Sequence, residues 1–445
     1  MTRAEWKGQA SMTKRLHTEP PRQTADEAVR LIRSGDRIYI HEAAMAPHEL
    51  LEALARRAPE LHDVQTFSLH TEGPAPHASP EVAGHIRHNA LFIGSNVRAA
   101  VNEGRADYTP VFLSDIPALI TYGPLKPDVA LIQVSPPDDH GFCRLGMSIA
   151  CARAAVDTAP VVIAMVNKQV PETMGNSAVH ISRFSAMVEV DRPLPTLQPP
   201  ALGPIEQAIG QHVAELIPDR ATLQMGIGAI PDATLACLTD REDLGIHTEM
   251  FSDGLLALAN LGVITNRFKP TWRNRVVTSF AVGSQNVVNF VHGNPFVEFH
   301  PSDIVNDTRE IRQIDGMIAI NSAIEIDLTG QIVADSIGSR FYSGIGGQMD
   351  FMRGARLAND GKAIIALPST AKGGAMSRIV PQIAAGAGVV TTRGHVQYVA
   401  TEYGIVNLDG KSVRRRAELL IEIAHPDMRP DLIAATRQRF YSIAD

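Results

Sequence analysis

The chain of 445 residues is 44% hydrophobic and 20% charged, the balance of a globular protein with two or three domains and ample length for a large core. A net charge of −7 excludes a general nucleic-acid footprint, and no run of about 18 apolar residues is present to span a membrane. Cys143, Cys151 and Cys237 form neither a CxxC motif nor an even framework, a usage that fits a reducing, cytoplasmic compartment.

In chain order, residues 1–23 are polar and lack the apolar core of a signal peptide, so they read as a disordered tail. A helix is expected over 25–34, opened by a Thr24–Glu27 capping box and stopped at Gly35. The runs RIYIH (37–41), VALIQV (129–134), VVIAMV (161–166), AIIALP (363–368) and GVVTT (388–392) read as buried parallel strands. They alternate with amphipathic stretches, which predicts an α/β architecture. The proline-rich DRPLPTLQPPALGP (191–204) denies both helix and sheet. It divides the chain into a first domain, 24–195, a linker, 196–204, and a second domain, 205–445. Pro204 opens the next helix, whose expected apolar face is Ile205, Ala208, Ile209, Val213, Leu216 and Ile217.

The two halves open alike. Residues 28–54 and 213–238 each give an amphipathic helix, a turn, a short strand, a loop of small residues, a proline (Pro47, Pro231) and another helix. Downstream of each proline comes the triplet His-Thr-Glu, ending at Glu72 and at Glu249. Two related α/β units explain this pattern; shared α/β grammar is the alternative. A third copy, ending at Glu19 in the tail, belongs to neither unit and reads as chance.

Several segments offer chemistry. In LQMGIGAIPDA (223–233), Gly226 and Gly228 let backbone N–H groups approach a ligand where a helix begins. A dinucleotide fingerprint fails there, because position 231 is proline; a plain tight turn stays open. Gly344, Gly346 and Gly347 in SGIGGQMDF suggest an oxyanion cradle or a flexible turn. Ser369, Thr370, Lys372 and Arg378 in PSTAKGGAMSRIVP are phosphate-binding residue types without P-loop order, or a solvated basic loop. Glu249 lies between a short strand and the turn FSDG, where a carboxylate meets either a ligand or bulk water. Asp138, Asp139 and His140 read as a turn, not a metal site.

These segments, with NVRAAVNEGRADYTPVFLSDIP, DVALIQVSPPDDHGFCRLGMS, HTEMFSDG and YVATEYGIVNLDGKS, resemble the acetyl-CoA hydrolase/transferase family of class I coenzyme A transferases. The likeness is strongest to 4-hydroxybutyrate and butyryl-CoA:acetate CoA-transferases, and it runs from about residue 25 onward. It implies two related NagB/RpiA/CoA-transferase-like domains with parallel sheets and an active site between them. It implies Glu249 as nucleophile, Gly226, Gly228, Ile230, Gly344, Gly346 and Gly347 in oxyanion and CoA-contacting loops, and Lys372 and Arg378 on the CoA surface. Acyl-CoA and a carboxylic acid are then the substrates. No metal or cofactor is expected, coenzyme A being itself a substrate, and a homodimer is.

Three departures from the family pattern fall in the first half: Met45 in HEAAMAP, Glu72 in HTEGPAP and Met174 in ETMGNS. They are the acyl-pocket candidates, and they point to an acid other than plain acetate or butyrate: one whose hydroxyl Glu72 binds, or a C4–C5 acid such as succinate or itaconate, whose second carboxylate an ionised Glu72 repels unless a cation intervenes. Competing readings are an acyl-CoA hydrolase on the same scaffold, a non-catalytic acyl-CoA sensor, and a sugar-phosphate isomerase sharing the fold.

Overall fold

The computed structural model describes residues 19–199 and 201–440. Most of the tail expected over 1–23 lies outside the described residues. Its last part is tied down: Met187 N donates to Pro21 O and Gln23 N to Met187 O, both at 2.9 Å.

The chain forms two compact units. The first takes the chain up to Thr109, Pro117–Pro195 and Val291–Asn294; the second takes Pro110–Ile116, Thr196–Phe290 and everything from Pro295 on. The main crossing falls between Pro195 and Thr196, and two short segments change sides. Within the first unit, Gly293 N donates to Glu172 O and Glu172 N to His292 Nδ1. Within the second, Leu113 N donates to Gly346 O and Ser302 Oγ to Leu113 O.

In the first unit the strands are β1 (Arg37–Ile40), β2 (Val64–Ser68), β3 (Ile86–Ala90), β4 (Asp107–Tyr108), β5 (Val129–Val134), β6 (Val161–Asn167) and β7 (Ala186–Val190). They lie in the order β7-β6-β5-β1-β2-β3-β4, with every pair parallel. All six residues of β5 are buried, which a parallel strand covered on both faces demands of an unbroken apolar run. Helix α1 (His48–Arg57) follows Pro47 and lays Leu50, Leu51 and Leu54 into a core with Ile38, Leu131 and Ile163.

The second unit repeats this winding. Its sheet runs β9-β8-β10-β11-β12-β13, from β8 (Thr222–Met225), β9 (Gly245–Ile246), β10 (Met317–Ser322), β11 (Lys362–Ala366), β12 (Tyr398–Thr401) and β13 (Gly404–Asn407). Only the β12–β13 pair is antiparallel. In each unit the first strand is flanked by the strand leading to His-Thr-Glu on one side and by a returning strand on the other. The strand order reverses there, which opens a crevice at the carboxyl ends of β1 and β5, and again of β8 and β10.

Three local expectations are corrected. The helix over 25–34 is a single turn, Ala25–Ala28, continued as a 3-10 turn, Val29–Leu31. Its capping box forms, but the Asp36 carboxylate accepts from Arg33 N at 2.7 Å and ends the helix early. The run 388–392 is not a strand of the parallel sheet, because both edges of β11 are already taken by β10 and β12; Thr391 makes one antiparallel bridge to Ile332. Ile205 is 41% exposed instead of facing the core. Helix α2 (Pro204–Ala214) presents Gly210 to helix α3 (Ala229–Ala236), where a Cβ would lie 2.7 Å from the Ala233 carbonyl carbon.

The missing side chain at 210 sets how closely α2 and α3 approach. Gly210→Val must push backbone apart, a strain of about 1–3 kcal/mol or more. The expected outcome is a lower urea midpoint for the second unit by circular dichroism; an unchanged midpoint contradicts this packing.

Candidate active site

The triplet after β9 is held residue by residue. His247 is buried and its Nε2–H donates to Val305 O at 2.8 Å. Burial pushes the imidazole down to about 3, so it stays neutral. Thr248 Oγ1 sits 3.1 Å from the carbonyls of both Met225, the last residue of β8, and Met250. The Glu249 carbonyl accepts from Ser279 N and Phe280 N at 3.0 Å and from Thr278 Oγ1 at 3.1 Å. The backbone on both sides of Glu249 is therefore fixed before its side chain meets anything.

That side chain is half-buried. Its Oε2 accepts from Asn306 Nδ2 at 3.0 Å, and the Gly347 N–H favours the charged carboxylate as well. Asn306 stands at the end of helix α4 (Ser302–Val305), one residue beyond the carbonyl that His247 holds. Gly347 caps helix α5 (Gln348–Leu357), so its N–H carries helix-terminal positive character. A Cβ at 347 would fall 1.8 Å from Glu249 Oε2 and 2.1 Å from Asn306 Nδ2. The φ of −94° at 347 is open to any residue, so the demand for glycine is steric alone. Burial raises the Glu249 carboxyl above its usual range, opposed by these two hydrogen bonds.

Asp350, in the first turn of α5, shares the same amide: Asn306 Nδ2 lies 3.3 Å from its Oδ2. Ser114 anchors the other side, with Oγ at 2.8 Å from Oδ1 and N at 3.2 Å from Oδ2. Burial pushes Asp350 up to about 7, and the neighbouring Glu249 charge adds to the rise. All of these residues belong to the second unit.

The glycine loops differ from one another. Gly226 and Gly228 face open space, and Gly228 has φ +116°, which only glycine adopts readily; Ile230 is buried in α3. Gly346 has φ +58° and is bridged to Phe112, so the 344–347 loop is pinned by the 110–116 segment. Lys372 tips a hairpin, with positive φ at 372, 373 and 374, and is exposed. Arg378 turns inward, Nη1 lying 3.3 Å from Ala323 O and Ile324 O. Ser369 gives both its N–H and hydroxyl to Glu402.

Met45, Glu72 and Met174 come from neighbouring loops of the first unit. Ala43 bridges Thr71, and Glu72 N donates to Ala43 O at 3.1 Å. Met45 lies over Gly146, whose carbonyl accepts from Thr173, next to Met174. Glu72 stands 3.6 Å from His70 Nε2. Asp138 accepts from His140 N and Phe142 N at 2.9 Å and so closes a turn. Among the described residues no group of three or more His, Cys, Asp or Glu is placed to hold a metal. None of their helices is long and apolar enough to cross a membrane.

Sequence reasoning missed Asn306, Asp350, Ser114 and Lys269. Lys269 is 1% exposed; its Nζ donates to Ile246 O at 2.7 Å and Arg275 O at 2.8 Å. It thus ties β9, which leads to Glu249, to the segment before Val276–Thr278, whose end grips the Glu249 carbonyl. Burial pushes Lys269 down to about 7. A neutral amine has two hydrogens, one for each carbonyl.

Fold and geometry together define a protein of two like-wound α/β units, one of which presents a half-buried carboxylate cradled by an amide and a helix-capping N–H. The chain matches the acetyl-CoA hydrolase/transferase N-terminal domain over residues 10–197 and the C-terminal domain over 283–436. It is 45% identical to the 4-hydroxybutyrate coenzyme A transferase of Clostridium kluyveri, over 94% of this chain and 97% of that one. It is 48% identical to the succinyl-CoA:acetate/propanoyl-CoA:succinate CoA transferase of Fasciola hepatica, over 93% and 87%. The crystal structure of RipA from Yersinia pestis superposes with a TM-score of 0.90 at 35% identity, covering 94% of this chain and 97% of that one. An acetyl-CoA hydrolase of Candida albicans matches at 24% over 80% and 77%. The chain belongs to the acetyl-CoA hydrolase/transferase family.

Gly347→Ala places a methyl group where the Glu249–Asn306 contact lies. Loss of one such donor costs about 2.7–4 kcal/mol in a transition state, so kcat is expected to fall at least about 100-fold with the fold retained by circular dichroism. For Lys269, the folded value near 7 lies below the ordinary 10.5 of the unfolded chain. Between these values the unfolded state binds more protons, so the lysine's contribution to stability rises with pH. Wild-type stability minus that of Lys269→Met should rise from pH 7 to pH 10 in urea titrations; a difference that falls contradicts this.

Proposed function

We propose that this CoA-transferase works by ping-pong exchange through Glu249. The Glu249 carboxylate oxygen attacks the thioester carbonyl of the donor acyl-CoA; the C–S bond breaks and CoA thiolate leaves a mixed anhydride. The thiolate sulfur then attacks the glutamyl carbonyl, the anhydride C–O bond breaks, and the donor acid departs as carboxylate. An acceptor carboxylate runs the two steps in reverse. One thioester is exchanged for another, so no ATP, metal or redox cofactor enters.

The observation that carries this reading is the Oε2 cradle. Each tetrahedral intermediate at the glutamyl carbon needs donors where its oxyanion forms; the Asn306 amide already points at Oε2, and the Gly347 N–H serves the same carboxylate. The open loop at Gly226–Gly228 is the backbone surface for CoA, with Lys372 on the exposed hairpin. Arg378 supports its loop through main-chain carbonyls. Hydrolysis is the second reading on this scaffold; the hydrolase match at 24% identity favours it less than the transferase matches at 45% and 48%.

The donor is acetyl-CoA or succinyl-CoA, and the acceptor a short carboxylic acid. Met45, Glu72 and Met174 shape its pocket. Burial raises Glu72 and pushes the adjacent His70 down to about 4, so His70 supplies no cation at neutral pH. A second carboxylate on the acid would meet the Glu72 charge without compensation once Glu72 ionises. A hydroxy acid such as 4-hydroxybutyrate is therefore favoured over succinate or itaconate as acceptor and, because both half-reactions share one acyl pocket, acetyl-CoA over succinyl-CoA as donor. A cytoplasmic setting, from cysteines that form neither a CxxC motif nor an even framework, and a homodimer, readable by light scattering, complete the reading.

Intact-mass measurement after incubation with acetyl-CoA tests the core of it. A CoA adduct is expected, absent in Glu249→Ala, and 4-hydroxybutyrate should discharge it faster than succinate. Steady CoA release with no acceptor and no adduct would establish hydrolysis instead.

A further inference from the structure

The segment Pro110–Ile116 leaves the first unit and joins the second, and the function proposed above does not use it. Its contacts converge on the partners of Glu249. Phe112 bridges Gly346, Leu113 N donates to Gly346 O, and Leu113 O accepts from Ser302 on the helix that ends at Asn306. Ser114 spends both its N–H and its hydroxyl on Asp350. Asp350 is 5% exposed, a costly place for a carboxylate unless its charge has a use.

We propose that Asp350 is a positioning residue for Glu249. Its carboxylate, anchored by Ser114, turns the Asn306 amide nitrogen toward Glu249. It also places a second negative charge that favours the neutral, acylated forms of Glu249 over the free carboxylate. The inference rests on Glu249 being the nucleophile. A carboxylate accepts and does not donate, so an ionised Asp350 can face only the NH2 side of Asn306. The same nitrogen reaches Glu249 Oε2 at 3.0 Å and Asp350 Oδ2 at 3.3 Å, which places the two acids on either side of one group. Like charges this close disfavour simultaneous ionisation. Converting Glu249 to an anhydride or thioester removes one of the two charges, and the repulsion ends. The Glu249 carboxylate plus acyl-CoA and the glutamyl-CoA thioester plus free carboxylate carry equal charge overall, so no proton is exchanged. The charge moves from beside Asp350 to the departing acid.

The other charged groups around Asp350 are Asp115 on the 110–116 segment, Asp303 and Asp307 around α4, and Arg353 on α5. His247, on the Glu249 segment, is neutral by burial. The balance is acidic, so none of these except Arg353 offsets the pair. Burial pushes the Asp350 carboxyl up to about 7, and the internal equilibrium should follow its ionisation. Below neutrality Asp350 takes a proton and the free carboxylate gains; above it Asp350 ionises and the thioester gains.

The test measures the fraction of enzyme carrying CoA by acid-quenched intact mass. The acyl-CoA giving the largest adduct is held at a fixed ratio to its acid from pH 5.5 to 8.5. Wild type should rise about tenfold in the ratio of thioester to free enzyme, the factor that one pKa unit of coupling represents. Asp350→Asn, which keeps the shape, should flatten the curve, and Asp350→Glu should restore the rise. Ser114→Ala should keep the rise while lowering kcat more than it changes KM. A flat wild-type curve, or a rise retained in Asp350→Asn, overturns the role of Asp350 while leaving the nucleophile in place. Absence of any adduct in wild type overturns the nucleophile and the inference together.

Discussion

One crowded point governs the second unit: the Glu249 oxygen, the Asn306 amide and the Gly347 backbone meet with no room for a methyl group between them. Three separate stretches of chain have to arrive within hydrogen-bonding distance for this to exist. The surrounding structure accounts for each arrival. Lys269 and the Thr278–Phe280 turn fix the glutamate's backbone. His247 fixes the peptide before Asn306, and the 110–116 segment fixes the loop before Gly347. Preorganised donors of this kind need no rearrangement as charge develops, which is where their catalytic value lies.

The two His-Thr-Glu copies show how one winding serves two ends. In both units the triplet follows the strand beside the first strand of the sheet, at the level where the strand order reverses. The surroundings then diverge. Around Glu249 they supply an amide and a helix cap. Around Glu72 they supply His70, held neutral, and the loop bearing Met45. Position in the fold brings a carboxylate to the rim; the neighbouring loops decide whether it has donors to work with.

Much of the fold was legible because its signals are local. An unbroken apolar run such as 129–134 states its own burial, and a Thr24–Glu27 box states a helix start. The glycine loops and Glu249 were singled out by the family resemblance, carried by several motifs in one order; taken residue by residue, a plain turn and a solvated carboxylate stayed open. Asn306 was not: a single asparagine after a four-residue helix carries no pattern, and its meaning is a distance to a residue 57 positions away. Lys269 sits in the polar-looking FKPTWRNR, which reads as solvated, and only tertiary burial reveals it. Asp350 stands inside the motif SGIGGQMDF, but its meaning is its distance to Asn306, which no sequence spacing states. The run at 388–392 misled for the reverse reason, having strand composition but no free edge to join.

The detour of seven residues at 110–116 has a bearing on how such a protein can be rearranged. Splitting the gene at the proline-rich stretch would yield a carboxy-terminal polypeptide without Ser114, and chimaeras that swap halves between relatives would pair a foreign serine loop with a native glycine loop. Lineages in which the two halves are encoded separately would have to evolve a substitute for that loop, or exchange it across a subunit boundary.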